Sequence, residues 1–244
     1  MAAAQAAQIT FYTAKVCPFA QRVELAFAEA GAQINKYLID LQAKPDWYAP
    51  KVNPASKVPA VAYGGPVVPA DQPSSESTKI VESLVLLEFV ADLYPNAQLL
   101  PSSPLDRSRA RYFIDVVSNK AVPGFFSMVM KAEGPDALFR GLEEIQSLLP
   151  PEGGFAVGEK WSIADAAITP FLGRTDLLLR NDIGKYPVGE GPKVHAEIFQ
   201  GARFARLQKY FADVTARESW QKTFFPDHIV EKMSKILARP APKV

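Results

Sequence analysis

The sequence predicts an α/β domain followed by an all-α domain. Strand-like and helix-like runs alternate as far as Pro95, and a Ser- and Pro-bearing stretch follows over residues 96–106. Beyond it, helical periodicity recurs while strand patterns become scarce. A length of 244 residues gives ample core for two modest domains. The predicted layout is therefore an N-terminal domain over 8–95, a linker over 96–106 and a helical domain over 107–244.

The first element is a short strand at Ile9-Thr10-Phe11-Tyr12. Phe19, Ala20, Val23, Ala26, Phe27 and Ala30 then recur at helical spacing. Pro18 suits the first turn of that helix, where its missing N–H has no intrahelical partner, and Gly31 is a natural stop. A second strand is predicted over Ile34–Leu41, with Tyr37, Ile39 and Leu41 on one face. Leu41 to Pro54 reads as irregular or loosely helical. A third strand follows the turn at Asn53–Lys57, and Val58-Pro59 at its start is a candidate cis bond. Gly64–Ser77, with its Gly-Gly pair and three prolines, reads as a long surface loop. Thr78–Val81 forms a fourth strand, and Glu82-Ser83 opens an apolar helix that ends before Pro95.

In the second half, helices are predicted over Arg107–Val122, Asp136–Leu149, Ser162–Leu179, Phe204–Ala216 and Pro226–Leu237. Ser162 with Asp165 three residues on is a capping-box pattern, with a structural role. Ile183–Gly201 carries four glycines and two prolines and reads as a second long loop. The segments before Gln8 and after Ala238 read as irregular tails.

Bulk properties exclude several functions. The formal net charge is +1, without a run of like charges, so nothing points to nucleic acid. No apolar stretch is long enough to span a membrane, and the N-terminal segment lacks the basic and apolar parts of a secretory signal. One cysteine rules out an internal disulfide and fits a reducing, cytoplasmic compartment. With only two histidines, no metal site is expected.

That single cysteine, Cys17, falls between the first strand and the helix opened by Pro18. A helix N-terminus presents unpaired N–H groups and a positive dipole end, which favour a thiolate. Such a setting can lower a cysteine pKa from about 8.5 to between ~3.5 and ~7.5.

Four separated features share one explanation: Cys17-Pro18-Phe19-Ala20, Lys44-Pro45-Asp46-Trp47, Val58-Pro59-Ala60, and Glu82-Ser83 at a helix start. In this order they resemble a glutathione transferase, with a thioredoxin-like α/β N-terminal domain and an all-α C-terminal domain. Cys-Pro-Phe-Ala is similar to the cysteine-dependent omega class, the two long loops resemble its fungal-like members, and the resemblance covers essentially the whole chain. It implies a homodimer that takes glutathione as co-substrate and a hydrophobic or aromatic small molecule as partner. Cys17 would be catalytic. Ser83 and its helix start would receive the γ-glutamyl carboxylate, Glu82 the ammonium and Lys44 the glycyl carboxylate, with Lys57 a less favoured candidate for the last. Val58 would offer its backbone to the cysteinyl unit, held by cis Pro59, and Phe19 would line the pocket. In the helical domain the resemblance implies a hydrophobic-substrate site at Phe125, Met128 and Arg174.

A second thiol is missing, since Ala20 stands where two-cysteine relatives resolve their disulfide. The implied chemistry is thiol transfer and deglutathionylation through a Cys17–glutathione mixed disulfide. Two alternatives stay open: conjugation through a hydroxyl such as Tyr12 or Thr13, or carriage of hydrophobic ligands with slight activity. The 64–77 loop and the 183–201 stretch depart from typical omega members.

Overall fold

The computed structural model describes residues 8–239; the two irregular tails expected from the sequence fall mainly outside this range. The chain forms two compact units, 1–97 and 98–244.

The first unit is built on β1 (Ile9–Thr13), α1 (Pro18–Glu29), β2 (Asn35–Leu38), α2 (Tyr48–Lys51), β3 (Ala60–Tyr63), β4 (Thr78–Val81) and α3 (Ser83–Leu93). Its sheet has the order β2-β1-β3-β4. Strands β1 and β2 run parallel, with Tyr12 opposite Tyr37. Strand β3 is antiparallel to β1, with Phe11 opposite Val61, and β4 is antiparallel to β3. All five residues of β1 are buried, as a strand flanked on both edges requires. Helices α1 and α3 pack against each other. The second strand is shorter than predicted. Its Leu38 is 51% exposed, and the chain leaves the ladder there, Ile39 N–H donating to the Thr13 carbonyl.

The 64–77 loop is tied to this sheet by side chains. Gln8 exchanges two hydrogen bonds with the backbone of Val68, the Tyr12 phenol donates to the Ala70 carbonyl, and Lys79 donates to the Ser74 and Ser77 carbonyls.

The second unit contains α4 (Pro104–Val116), α5 (Val122–Phe126), α6 (Asp136–Leu148), α7 (Ile163–Arg180), α8 (Glu190–Phe199), α9 (Ala205–Thr215), α10 (Glu218–Thr223) and α11 (Pro226–Ile236). Two expectations are corrected here. The helix predicted to stop at Val122 runs on through Lys131, with widened π turns at Val117–Ala121 and Ser127–Lys131. Pro123 would clash with the carbonyl four residues back in a regular helix, and the wider turn before it relieves that conflict. The 183–201 stretch is not a loop throughout, because α8 occupies its centre. Val194, Ile198 and Gly191 are its buried residues. Gly189, at φ +84°, forms its N-cap, and the Asp182 carboxylate accepts the Gly189 and Gly191 N–H groups. Arg239 clamps the same carboxylate with two guanidinium nitrogens at 3.1 and 3.2 Å.

Two glycines explain how closely α6 crosses the preceding helical segments. A Cβ on Gly124 would lie 2.6 Å from the Ala137 carbonyl oxygen, and one on Gly141 would lie 2.9 Å from the Ala121 Cα. In an exposed helix Gly→Ala stabilises by about 0.5–1 kcal/mol. Here backbone meets backbone, so Gly124→Ala and Gly141→Ala each destabilise by about 1–3 kcal/mol. Denaturant unfolding midpoints measure this, and an unchanged or raised midpoint contradicts it.

Candidate functional site

Cys17 is the N-cap of α1, extended at φ −80° and ψ 116°, with Pro18 as the first helical residue. Its N–H donates to the Ala14 carbonyl and its carbonyl accepts from Gln21, so the backbone on both sides of the sulfur is fixed. The thiol is partly buried, against a cluster that includes Tyr12, Tyr48 and Val58. It donates to the Val58 carbonyl across 3.7 Å. The Val58-Pro59 bond is cis. This joins two features that lie 41 residues apart in sequence.

Beside this pair is a pocket of about 150 Å³ lined by Phe19, Asn53, Lys57, Val58, Pro59, Glu82 and Ser83. Five of the residues singled out from sequence thus meet in one place. Ser83 is buried and opens α3, whose first N–H groups lack intrahelical acceptors. Glu82 precedes it at φ +70°, a left-handed region that costs a non-glycine residue about 1–3 kcal/mol and that clusters at ligand sites. Lys44 does not line this pocket: it is exposed, and its ammonium donates at 2.7 Å to the carbonyl of Ser56, the residue before Lys57. Lys57, the less favoured lysine, is the one that lines the pocket. Tyr48 and Asn53 both donate to the Lys57 carbonyl at 2.8 Å, holding the strand-entry turn in place.

The hydroxyls that a conjugating route would use are already engaged. Tyr12 is fully buried, its phenol donates to Ala70, and burial pushes its pKa up to about 12. Thr13, also fully buried, donates to the Glu24 carboxylate at 3.0 Å.

Sequence reasoning missed Arg22. Arg22 is 2% exposed, and its Nη1 donates to Ser83 Oγ at 3.2 Å. Burial lowers its pKa to about 10, opposed by attraction to Cys17, so it stays charged at neutral pH. The missed signal is the spacing from Phe19, three residues earlier, over whose ring the guanidinium lies at 5.2 Å.

In the helical unit, Phe125, Met128 and Arg174 are all buried. Phe125 meets Phe171 edge-on at 5.9 Å. Arg174 donates to the Pro170 carbonyl and faces the Phe224 ring at 6.0 Å. Among the described residues no group of three or more His, Cys, Asp or Glu side chains could hold a metal, and no helix is long and apolar enough to cross a membrane.

Residues 11–98 match the family description "Glutathione S-transferase, N-terminal domain", and residues 131–213 match "Glutathione S-transferase, C-terminal domain". The chain is 55% identical to glutathione transferase Omega 1C from Trametes versicolor, with a TM-score of 0.92 over 95% of this chain and 97% of that one. Glutathione transferase Omega 2S from the same fungus, solved in complex with 2,4-dihydroxybenzophenone, is 44% identical, with a TM-score of 0.89 over 94% and 99% of the two chains. Pyrimidodiazepine synthase of Drosophila melanogaster is 31% identical over 174 residues, covering 70% of this chain and 66% of that protein.

The strand–Cys-Pro–helix turn, the cis-proline strand and the serine-opened helix that it faces all lie within the residues that match the N-terminal domain of that family. The chain belongs to the glutathione transferase family, and within it to the omega class. It is a glutathione transferase enzyme whose family takes glutathione as co-substrate.

Proposed function

We propose that this transferase acts as a thiol transferase and deglutathionylating enzyme through a Cys17–glutathione mixed disulfide. The observation that carries the reading is the Cys17 sulfur at a helix N-cap, 3.7 Å from the Val58 carbonyl and beside the pocket that Ser83 lines. The thiolate is the nucleophile in disulfide exchange, and the helix start favours its negative charge. Deprotonation ends the thiol's bond to Val58, freeing that carbonyl for the backbone of an incoming cysteinyl unit.

In the first step the Cys17 thiolate attacks the glutathionyl sulfur of a mixed-disulfide substrate. A Cys17–glutathione bond forms, the substrate's S–S bond breaks, and the substrate leaves as a thiolate. In the second step a free glutathione thiolate attacks that intermediate, releasing glutathione disulfide and restoring the Cys17 thiolate. Ser83 and the α3 start take the γ-glutamyl carboxylate, and Glu82 faces the ammonium. Lys44 or pocket-lining Lys57 meets the glycyl carboxylate, and Phe19 and cis Pro59 shape the floor. Ala20 supplies no second thiol, which is why the second glutathione is needed.

Phe125, Met128 and Arg174, which the resemblance gives to a hydrophobic or aromatic second substrate, are buried among the helices, so in this reading they pack behind such a site rather than form its surface. The benzophenone bound to the Trametes relative supports an aromatic ligand and equally supports ligand carriage as a second role. Conjugation through Tyr12 or Thr13 is disfavoured, because both hydroxyls already donate within the fold.

The test is to mix the enzyme with a glutathionylated peptide and no free glutathione, then weigh the intact protein. The expected result is a gain of one glutathionyl group on Cys17, removed by added glutathione. Turnover without any such adduct overturns the proposal.

A further inference from the structure

We infer that Arg22 is a positioning residue of the glutathione site, coupling the Cys17 thiolate at the start of α1 to the Ser83 hydroxyl at the start of α3. The inference rests on the reading that Cys17 and Ser83 serve glutathione, and it adds a residue that reading does not use.

Arg22 is 2% exposed, whereas arginine is rarely buried fully. Burying a guanidinium costs several kcal/mol unless partners compensate it. Its Nη1 donates to Ser83 Oγ at 3.2 Å at the start of α3, and it stands on the helix that Cys17 caps, five residues on, where its charge favours the thiolate. Its guanidinium also lies over the ring of Phe19, which lines the same pocket as Ser83.

Arginine can only donate, so Ser83 Oγ accepts from it and its hydroxyl hydrogen is left to point towards an acceptor in the pocket. A carboxylate is such an acceptor. The guanidinium also adds fixed positive charge to the field at Cys17, beyond the helix start. The groups that interact electrostatically with Cys17 include Arg22 on its own helix and Tyr48 on α2. The Tyr48 phenol donates to the Lys57 carbonyl, and burial pushes its pKa up, so it is neutral. Of these two, Arg22 carries the charge.

The experiment compares Arg22→Gln, Arg22→Lys and Ser83→Ala with the wild-type full chain. Iodoacetamide alkylation of Cys17 is followed against pH without glutathione, and glutathione affinity is measured by calorimetry. Arg22→Gln is expected to alkylate about tenfold more slowly near about pH 6, the effect of a one-unit rise in thiol pKa. Arg22→Lys keeps the charge but loses the planar fork, so it is expected to alkylate nearly as fast yet bind glutathione several-fold more weakly. Ser83→Ala is expected to weaken binding while leaving the alkylation profile in place.

A purely structural Arg22 would lower the melting temperature without moving the alkylation profile or the affinity. Wild-type alkylation and affinity in folded Arg22→Gln overturn the proposal. If Arg22→Gln does not fold, wild-type glutathione affinity in Arg22→Lys does so. Alkylation needs no turnover, so the assignment to Arg22 stands or falls separately from the mixed-disulfide route.

Discussion

Cys17→Ser removes thiol transfer, by on the order of a thousandfold or more, equivalent to at least about 4 kcal/mol of barrier. An alkoxide cannot form the mixed disulfide, so the route is closed rather than slowed. The fold should be unaffected, because Cys17 is only partly buried and its backbone bonds to Ala14 and Gln21 do not involve the sulfur. The serine hydroxyl would stand beside the same pocket, where it can hydrogen-bond to the sulfur of bound glutathione. The variant is therefore expected to gain conjugating activity towards electrophilic aromatics as it loses reduction of glutathionylated peptides. Both assays on one preparation check this, and thiol transfer retained by Cys17→Ser would sink the mechanism.

Asp165→Ala is expected to destabilise the helical unit more than either glycine substitution. Asp165 is fully buried, with one oxygen accepting from Ala156 N–H and the Tyr210 phenol and the other from the Ser162 N–H and hydroxyl. Each buried donor left without an acceptor costs about 1–3 kcal/mol, so the loss is on the order of 4 kcal/mol. That is a large share of a typical stability of about 5–15 kcal/mol. The expected readout is a lower denaturant midpoint at unchanged slope.

The same carboxyl adds a pH signature. Burial raises its pKa from 3.8 to about 6, against the opposing pull of its hydrogen bonds. A raised acid pKa means that the folded state holds the proton more tightly than the unfolded one. Its contribution to stability is then greatest below about pH 4 and declines as the pH rises through about 6. Asp165→Asn cannot titrate, so the stability of the wild type relative to this variant should fall over that window. A relative stability that rises with pH there contradicts the assignment.

Much of the fold is legible from local chemistry. Cys17-Pro18 marks a helix start, Val58-Pro59 a cis bond, and Ser162 with Asp165 a cap, because in each case neighbouring residues decide the conformation. The elements that escape are decided by distant ones. Helix α8 is hidden by Gly184, Pro187, Gly189 and Pro192, which read as breakers. Its start is instead held by the Asp182 carboxylate, itself gripped by Arg239, 57 residues away. The continuation past Val122 is hidden by Pro123 and depends on a widened turn and on Gly124 and Gly141 meeting the backbone across the crossing. At the site, the strand–Cys-Pro–helix pattern singles out Cys17, whereas Val58 and Ser83 are reached through the family resemblance. The burial of Arg22 and the choice between Lys44 and Lys57 are set by tertiary packing that periodicity does not encode.

The Tyr12 phenol, held by the Ala70 carbonyl, bears on how such a chain can change over evolution. A lineage recruiting that hydroxyl to activate glutathione would have to release it from Ala70, and so detach the 64–77 loop from the strand beneath it. The Cys17 thiol's bond to the Val58 carbonyl tethers no such loop. On the proposed mechanism, replacement of Cys17 is the shorter mutational path between reductive and conjugating chemistry, while Tyr12 is fenced off by its structural work.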